Sequence, residues 1–259
     1  MRLHFWLILL ISCYSGQALA DFKWRHVFFV PAISSGYSTF SFPKKLDQKI
    51  TFVNTEFSLT TLYQKLLVSG SISGSMLNET ISEEDDIGKA KRRDLDLLAA
   101  YQINSQFSVF SGFKYGRTNI AFETRKLKIK SNDLYRQIGP YLGGNYTYKF
   151  EKGGKLSLSL AYSYLDALNI LHANLDEDDS CDFDTNPKEC ELDDFSGQIE
   201  GKTKGYSLGI SWNMALTPRL IYQTKLKTNL YTQNLTHKGN TQNANESFTI
   251  FLIGLAYIL

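Results

Sequence analysis

Two carboxylates one residue apart, Asp94 and Asp96, are the first place in this chain where residue type and spacing suggest chemistry. On a β-strand, residues i and i+2 project from the same face, so the pair stands side by side. Paired carboxylates can share a proton and activate water when a base such as histidine completes the set. Past the first twenty residues the histidines are His26, His172 and His237, and two places before them stand Trp24, Ile170 and Leu235. No Asp-x-His partner is therefore present. With Arg92 and Arg93 adjacent, the plainer expectation is an interior charge pair.

A second cluster lies in the acidic run Asp176–Glu200, which holds Cys181 and Cys190. Asp182, Asp184 and Asn186 alternate like the first ligands of a calcium loop, with Asp193 at the twelfth position. Pro187 sits where such a loop needs glycine, and the twelfth position ordinarily carries Glu. The expectation is a solvated acidic loop with no specific metal and no cofactor. An even pair of cysteines in an exported chain favours a Cys181–Cys190 disulfide. Basic residues gather in Lys89–Arg93 and Arg125–Lys130, yet the formal net charge is only +2, too balanced to imply nucleic-acid binding. There is no phosphate-cradling glycine loop, no CxxC pair and no GxSxG elbow.

The elements that must position these groups are strands. Residues 1–20 read as an export signal: Arg2, the apolar run Phe5–Ile11, then Ala18-Leu19-Ala20 before Asp21. A lipid-attachment site at Cys13 is the rival reading of the same segment. Residues 21–259 then contain ten alternating segments. In the clearest, Leu156, Leu158, Leu160, Tyr162 and Tyr164 oppose Ser157, Ser159, Ala161 and Ser163, and Tyr206, Leu208, Ile210, Trp212 and Met214 oppose Gly205, Ser207, Gly209, Ser211 and Asn213. Pro31 interrupts the first segment, which predicts a bulge or seam there.

The connections sort by length. Gln64-Lys65, Asn104–Gln106, Glu151–Lys155 and Thr217–Arg219 are short; Pro43–Lys49, Leu77–Lys91, Thr124–Leu134, Ala173–Lys202 and about Leu235–Glu246 are longer. Short turns at one end, long loops at the other and an even strand count are the layout of an outer-membrane barrel. The large apolar face is expected to point outward into lipid.

The last stretch, Phe248–Leu259, is apolar at almost every position, with Gly254, Tyr257 and Leu259 spaced from its end. It resembles the closing strand of bacterial outer-membrane β-barrels, whose assembly signal has a polar residue, a glycine two places later, and aromatic or apolar residues third from last and last. Leu252 stands in place of the polar residue and Leu259 in place of the usual Phe. The resemblance implies an all-β fold, a single antiparallel transmembrane β-barrel of about ten strands (eight to twelve). It also implies Gram-negative outer-membrane localisation, periplasmic termini, and partners in membrane lipid, lipopolysaccharide and the barrel-assembly machinery. Omptin proteases, which are ten-stranded outer-membrane barrels, share the strand count and an Asp-x-Asp, but their Asp-x-His is missing here.

On the inward face the sequence places Asn54, Glu56, Asp94, Asp96, Lys114, Gln137, Tyr141, Asn145, Lys225 and Lys227 as lumen-lining candidates. They either line a narrow polar passage for a small solute or form a packed network of ion pairs, the commoner outcome at small strand number. The basic runs Lys89–Arg93 and Arg125–Lys130 are candidates for lipopolysaccharide phosphates. The expected function is a non-catalytic outer-membrane barrel, a narrow porin or a ligand- or surface-interacting protein. The alternatives are an outer-membrane enzyme (omptin-like or lipid-modifying) and a soluble periplasmic lipid-binding barrel.

Overall fold

The computed structural model describes residues 27–42, 49–83, 86–124, 130–151, 153–171, 197–237 and 240–259. The export signal, the Cys181/Cys190 loop with its calcium-like spacing, and residues 125–129 of the second basic run lie outside the described residues. The strands are β1 (Val27–Ser41), β2 (Ile50–Tyr63), β3 (Leu66–Ser75), β4 (Glu79–Glu83), β5 (Asp86–Gln102), β6 (Phe107–Thr124), β7 (Lys130–Phe150), β8 (Gly154–Leu171), β9 (Gly197–Ala215), β10 (Leu220–His237) and β11 (Asn240–Tyr257). Each pairs antiparallel with its sequence neighbour, except that β4 only extends the outer part of β5 as a short hairpin. β3 pairs with β5 and β1 with β11, which closes a barrel of ten strands.

Following paired residues once around the barrel fixes its shape. The path runs Val27, Tyr63, Leu66, Tyr101, Val109, Gly144, Leu160, Leu208, Thr228 and Thr249, and returns to β1 at Thr39, twelve residues beyond its start. With strands 4.7–4.9 Å apart, that stagger tilts them by about 40°. Pro31 introduces no bulge: β1 and β2 keep one register from Val27↔Tyr63 to Phe40↔Ile50. It sits instead on the closing seam, where pairing with β11 is interrupted, and the ladder resumes when the Leu259 amide donates to the Phe29 carbonyl at 2.9 Å.

The turn-end half follows the expected alternation. Phe57 and Leu59 on β2, Leu158 and Leu160 on β8, Leu208 and Ile210 on β9, and Phe251, Ile253 and Leu255 on β11 all point outward and are exposed. Soluble monomers rarely expose an apolar belt of this extent. A barrel with apolar groups outside and Ser, Gly and charged groups inside is built for lipid.

Above that belt the polarity inverts while the strands continue. On β11, Ala244, Phe248 and Ile250 are buried inside while Asn243 and Asn245 face out. On β10, Leu235 is buried while Asn234 and Thr236 are exposed. An 18-residue strand rises about 3.3 Å per residue, far more than the belt of about 25 Å requires even when tilted. The barrel therefore projects beyond the belt at its loop end as a water-facing β-structure with its own apolar core. Several expected loops are strands for this reason. Leu235–Glu246 is the joined end of β10 and β11, in register from Leu235↔Gln242 to His237↔Asn240. Within Leu77–Lys91, β4 pairs with β5; β7 already begins at Lys130 and β9 at Gly197. Their polar outward residues resemble loop composition, but here they only mark strand surface in water.

Candidate functional site: the barrel lumen

The lumen is layered, and each layer follows from which residues the inward parity supplies. At the loop end, Phe40 and Phe42 from β1 and its continuation, Ile50 and Phe52 from β2, Ile120 from β6, Ile199 from β9, Leu235 from β10 and Phe248 from β11 converge in one cluster. Phe40, Phe42, Phe52, Ile120, Ile199 and Leu235 have no more than a trace of solvent exposure, 0% each. The Tyr135 ring of β7 meets Phe40 and Phe42 from across the barrel, with centroids 5.6 and 5.1 Å apart. This is an apolar plug, and it reaches from wall to wall.

Polar groups are threaded through and beneath the plug. Gln137 on β7 donates to Glu246 on β11 at 2.6 Å, and Gln233 on β10 donates to the same carboxylate oxygen at 2.5 Å. Asn169 on β8 donates to Gln233 at 2.9 Å. Arg92, which is 6% exposed, holds both Asp94 oxygens at 2.8 and 3.0 Å and donates to Thr118 at 2.9 Å. Its guanidinium also lies 3.7 Å from the Phe248 ring centroid, a cation–π contact across the lumen. The ion therefore replaces most of the water that it loses on burial.

One layer further down, Asp96 accepts from the Tyr141 hydroxyl and from Lys227 at 3.0 Å. Lys225 pairs with Glu56 at 2.9 Å, and Lys114 donates to Ser207 at 3.1 Å and to the Tyr231 hydroxyl at 2.5 Å. Gly112 makes this layer possible: a Cβ there would lie 2.4 Å from the Tyr141 ring and hydroxyl. The free space at this level is only about 70 Å³.

Toward the turns the lumen widens. A cavity of about 710 Å³ is lined by small groups such as Ser69, Ser159 and Ser211 and by Phe110, Leu98 and Ala256, with Lys227 and Asp96 at its floor. It is continuous, through Leu67, Asn145 and Asn213, with a further 430 Å³ framed by the turn residues Gln64, Lys65 and Asn104–Gln106. The result is a vestibule open at the turn end and closed at the loop end.

All ten lumen candidates face inward. Asp94 and Asp96 are engaged by different cations, so they form two ion pairs and no shared carboxylate dyad. Asn54 is buried and donates to Ser38 at 3.4 Å, and Asn145 donates to Thr147 at 2.9 Å near the vestibule mouth. The basic run Lys89–Arg93 is divided by parity: Arg92 enters the lumen, while Lys89, Lys91 and Arg93 are exposed. Sequence reasoning missed Glu246, Gln233, Asn169 and the whole plug. The available signal was the inversion of polarity at constant parity in residues 243–257, which a loop does not produce.

A closed, antiparallel, all-β barrel of ten strands with an apolar exterior belt defines the class: this chain has the fold of bacterial outer-membrane β-barrel proteins. It is similar to the outer-membrane protease OmpT from Escherichia coli, with a TM-score of 0.53, 10% identity, and coverage of 90% of this chain and 96% of that one. It also aligns with the translocator domain of the autotransporter NalP from Neisseria meningitidis, with a TM-score of 0.48, 10% identity, and coverage of 95% and 94%. At such identity the likeness concerns the fold alone. No protein-family model matches the chain. No curated protein matches it.

Proposed function

We propose that this protein is a sealed outer-membrane barrel that works by binding at its surfaces and in its periplasm-facing vestibule, without conducting solute and without catalysis. The observation that carries the reading is the apolar plug: a narrow porin needs a continuous wet path, and buried aromatic and aliphatic side chains fill this one from wall to wall. The layer beneath is held by fixed ion pairs, Lys227 with Asp96 and Lys225 with Glu56. A non-catalytic role is favoured by the same contacts: the two carboxylates with catalytic spacing are neutralised by Arg92 and Lys227. The vestibule can take a small, partly apolar solute from the periplasm. The partners of this reading are outer-membrane lipid and lipopolysaccharide around the belt, and the barrel-assembly machinery at the closing strand β11.

The sidedness of the vestibule is testable by thiol labelling. In a Cys181→Ser/Cys190→Ser background, Ser211→Cys places a thiol on the vestibule wall. A bulky, membrane-impermeant maleimide is expected to modify it only after the periplasmic side is opened. Modification in intact cells at the same rate would show a path through the barrel and defeat the proposal.

A further inference from the structure

On the outer surface, three arginines stand side by side across three neighbouring strands. Arg93 on β5 is the register partner of Arg117 on β6, and Arg117 is the register partner of Arg136 on β7. Strands lie 4.7–4.9 Å apart, so the row spans about 10 Å. Like charges placed directly opposite one another destabilise a sheet, and among the described residues no carboxylate pairs with any of the three. Arg117 donates to the neutral Asn119 at 2.7 Å. Lys91, opposite Asn119, adds a fourth positive charge one step nearer the loops.

The level of the row is as informative as its charge. One step toward the turns, the same outward parity carries Leu95, Tyr115 and Ile138, themselves register partners at the top of the apolar belt. The row therefore lies where the lipid hydrocarbon ends and headgroup phosphates begin. Among the described residues, two other sectors at this height are built differently. Lys202 on β9 is neutralised by Asp166 on β8, and β10 and β11 present a Thr232–Asn245 hydrogen bond at 3.2 Å.

We propose that Arg93, Arg117 and Arg136 form a lateral site for the phosphorylated glucosamine headgroup of outer-leaflet lipopolysaccharide, a site that deepens, and rests on, the outer-membrane reading above. Guanidinium forks bind phosphate oxygens bidentately and keep their charge at any working pH. A row of about 10 Å holds more than one phosphate, which suits a headgroup with two phosphates better than a phospholipid with one. Bound phosphate would also offset the mutual repulsion of the three arginines.

The test uses the full-length protein refolded in detergent, with heat-modifiable migration confirming the barrel. Native protein should bind bisphosphorylated lipid A at least about tenfold more tightly than its monophosphorylated form or phosphatidylglycerol, since one charge-assisted contact is worth about a factor of ten. Replacing all three arginines by glutamine should remove that preference, replacement by lysine should retain part of it, and Lys202→Gln/Lys204→Gln should leave it unchanged. Equal binding by the glutamine variant, or equal binding of phosphatidylglycerol by native protein, would overturn the site while leaving the outer-membrane reading intact. A native chain that fractionates as a soluble protein and shows no heat-modifiable form would overturn both.

Discussion

Removing the aromatic plug is expected to weaken the fold and open it at the same time. In Phe40→Ala/Phe52→Ala/Phe248→Ala, three buried rings from β1, β2 and β11 are replaced by methyl groups in a cluster that has almost no solvent contact. A buried Phe→Ala change costs about 3–5 kcal/mol, part of it from the cavity left behind. The three sites share partners, so their effects will not add: Phe40 and Phe248 both contact Arg92, and Phe40 also meets Tyr135. The expected result is a large fall in the urea midpoint of the detergent-refolded barrel, together with an ionic current absent from the native protein. The milder Phe→Leu set, which fills more of the volume, should keep the barrel closed and lose less stability. An alanine variant as stable and as silent as the native protein would mean that the plug neither holds nor closes the barrel.

Arg92 is the second point of high consequence. It carries a charge 6% exposed, held by two hydrogen bonds to Asp94, one to Thr118 and the face of Phe248. Arg92→Met would leave Asp94, whose side chain is only 20% exposed, without its counter-ion. Breaking a buried pair from one side typically costs about 3–5 kcal/mol, because the remaining charge stays desolvated. Removing both charges, Arg92→Met/Asp94→Asn, should recover most of that loss. Arg92→Lys should recover little, since an ammonium cannot reproduce the planar fork. Urea unfolding of the four proteins is the measurement; equal stability of the single and double variants would contradict the assignment.

The two halves of the barrel differ in how plainly the sequence announces them. Within the belt, one rule governs every strand: large apolar residues such as Leu158, Leu208 and Phe251 face lipid, and Ser159, Gly209 and Lys225 face the lumen. That rule is local, of period two, and legible without partners. Above the belt the solvent outside changes from lipid to water, so the same parity carries the opposite polarity. Asn243, Asn245, Thr236 and Asn234 then look like loop residues, and the pairing that makes them strands comes from register alone. Glu246 illustrates the consequence, falling at the edge of an expected loop yet buried in the lumen and hydrogen-bonded by Gln137 and Gln233. The lumen candidates were legible because they are polar residues on the small-residue face. Their pairing was not: Lys225 with Glu56 joins strands three apart around the barrel and Lys227 with Asp96 joins opposite walls, and only the stagger of the barrel decides which side chains meet. The arginine row is of the same kind, since Arg93, Arg117 and Arg136 are far apart in sequence and are neighbours only by register.

The lumen is closed by the plug of Phe40, Phe42, Ile50, Phe52, Ile120, Leu235 and Phe248. Single-channel recording of the native, refolded protein in a planar lipid bilayer tests this closure most directly. A membrane holding the inserted barrel should carry no steady current above that of the bare bilayer. A stable, ohmic open state in the native protein would contradict the account and return the lumen to the reading of a narrow porin.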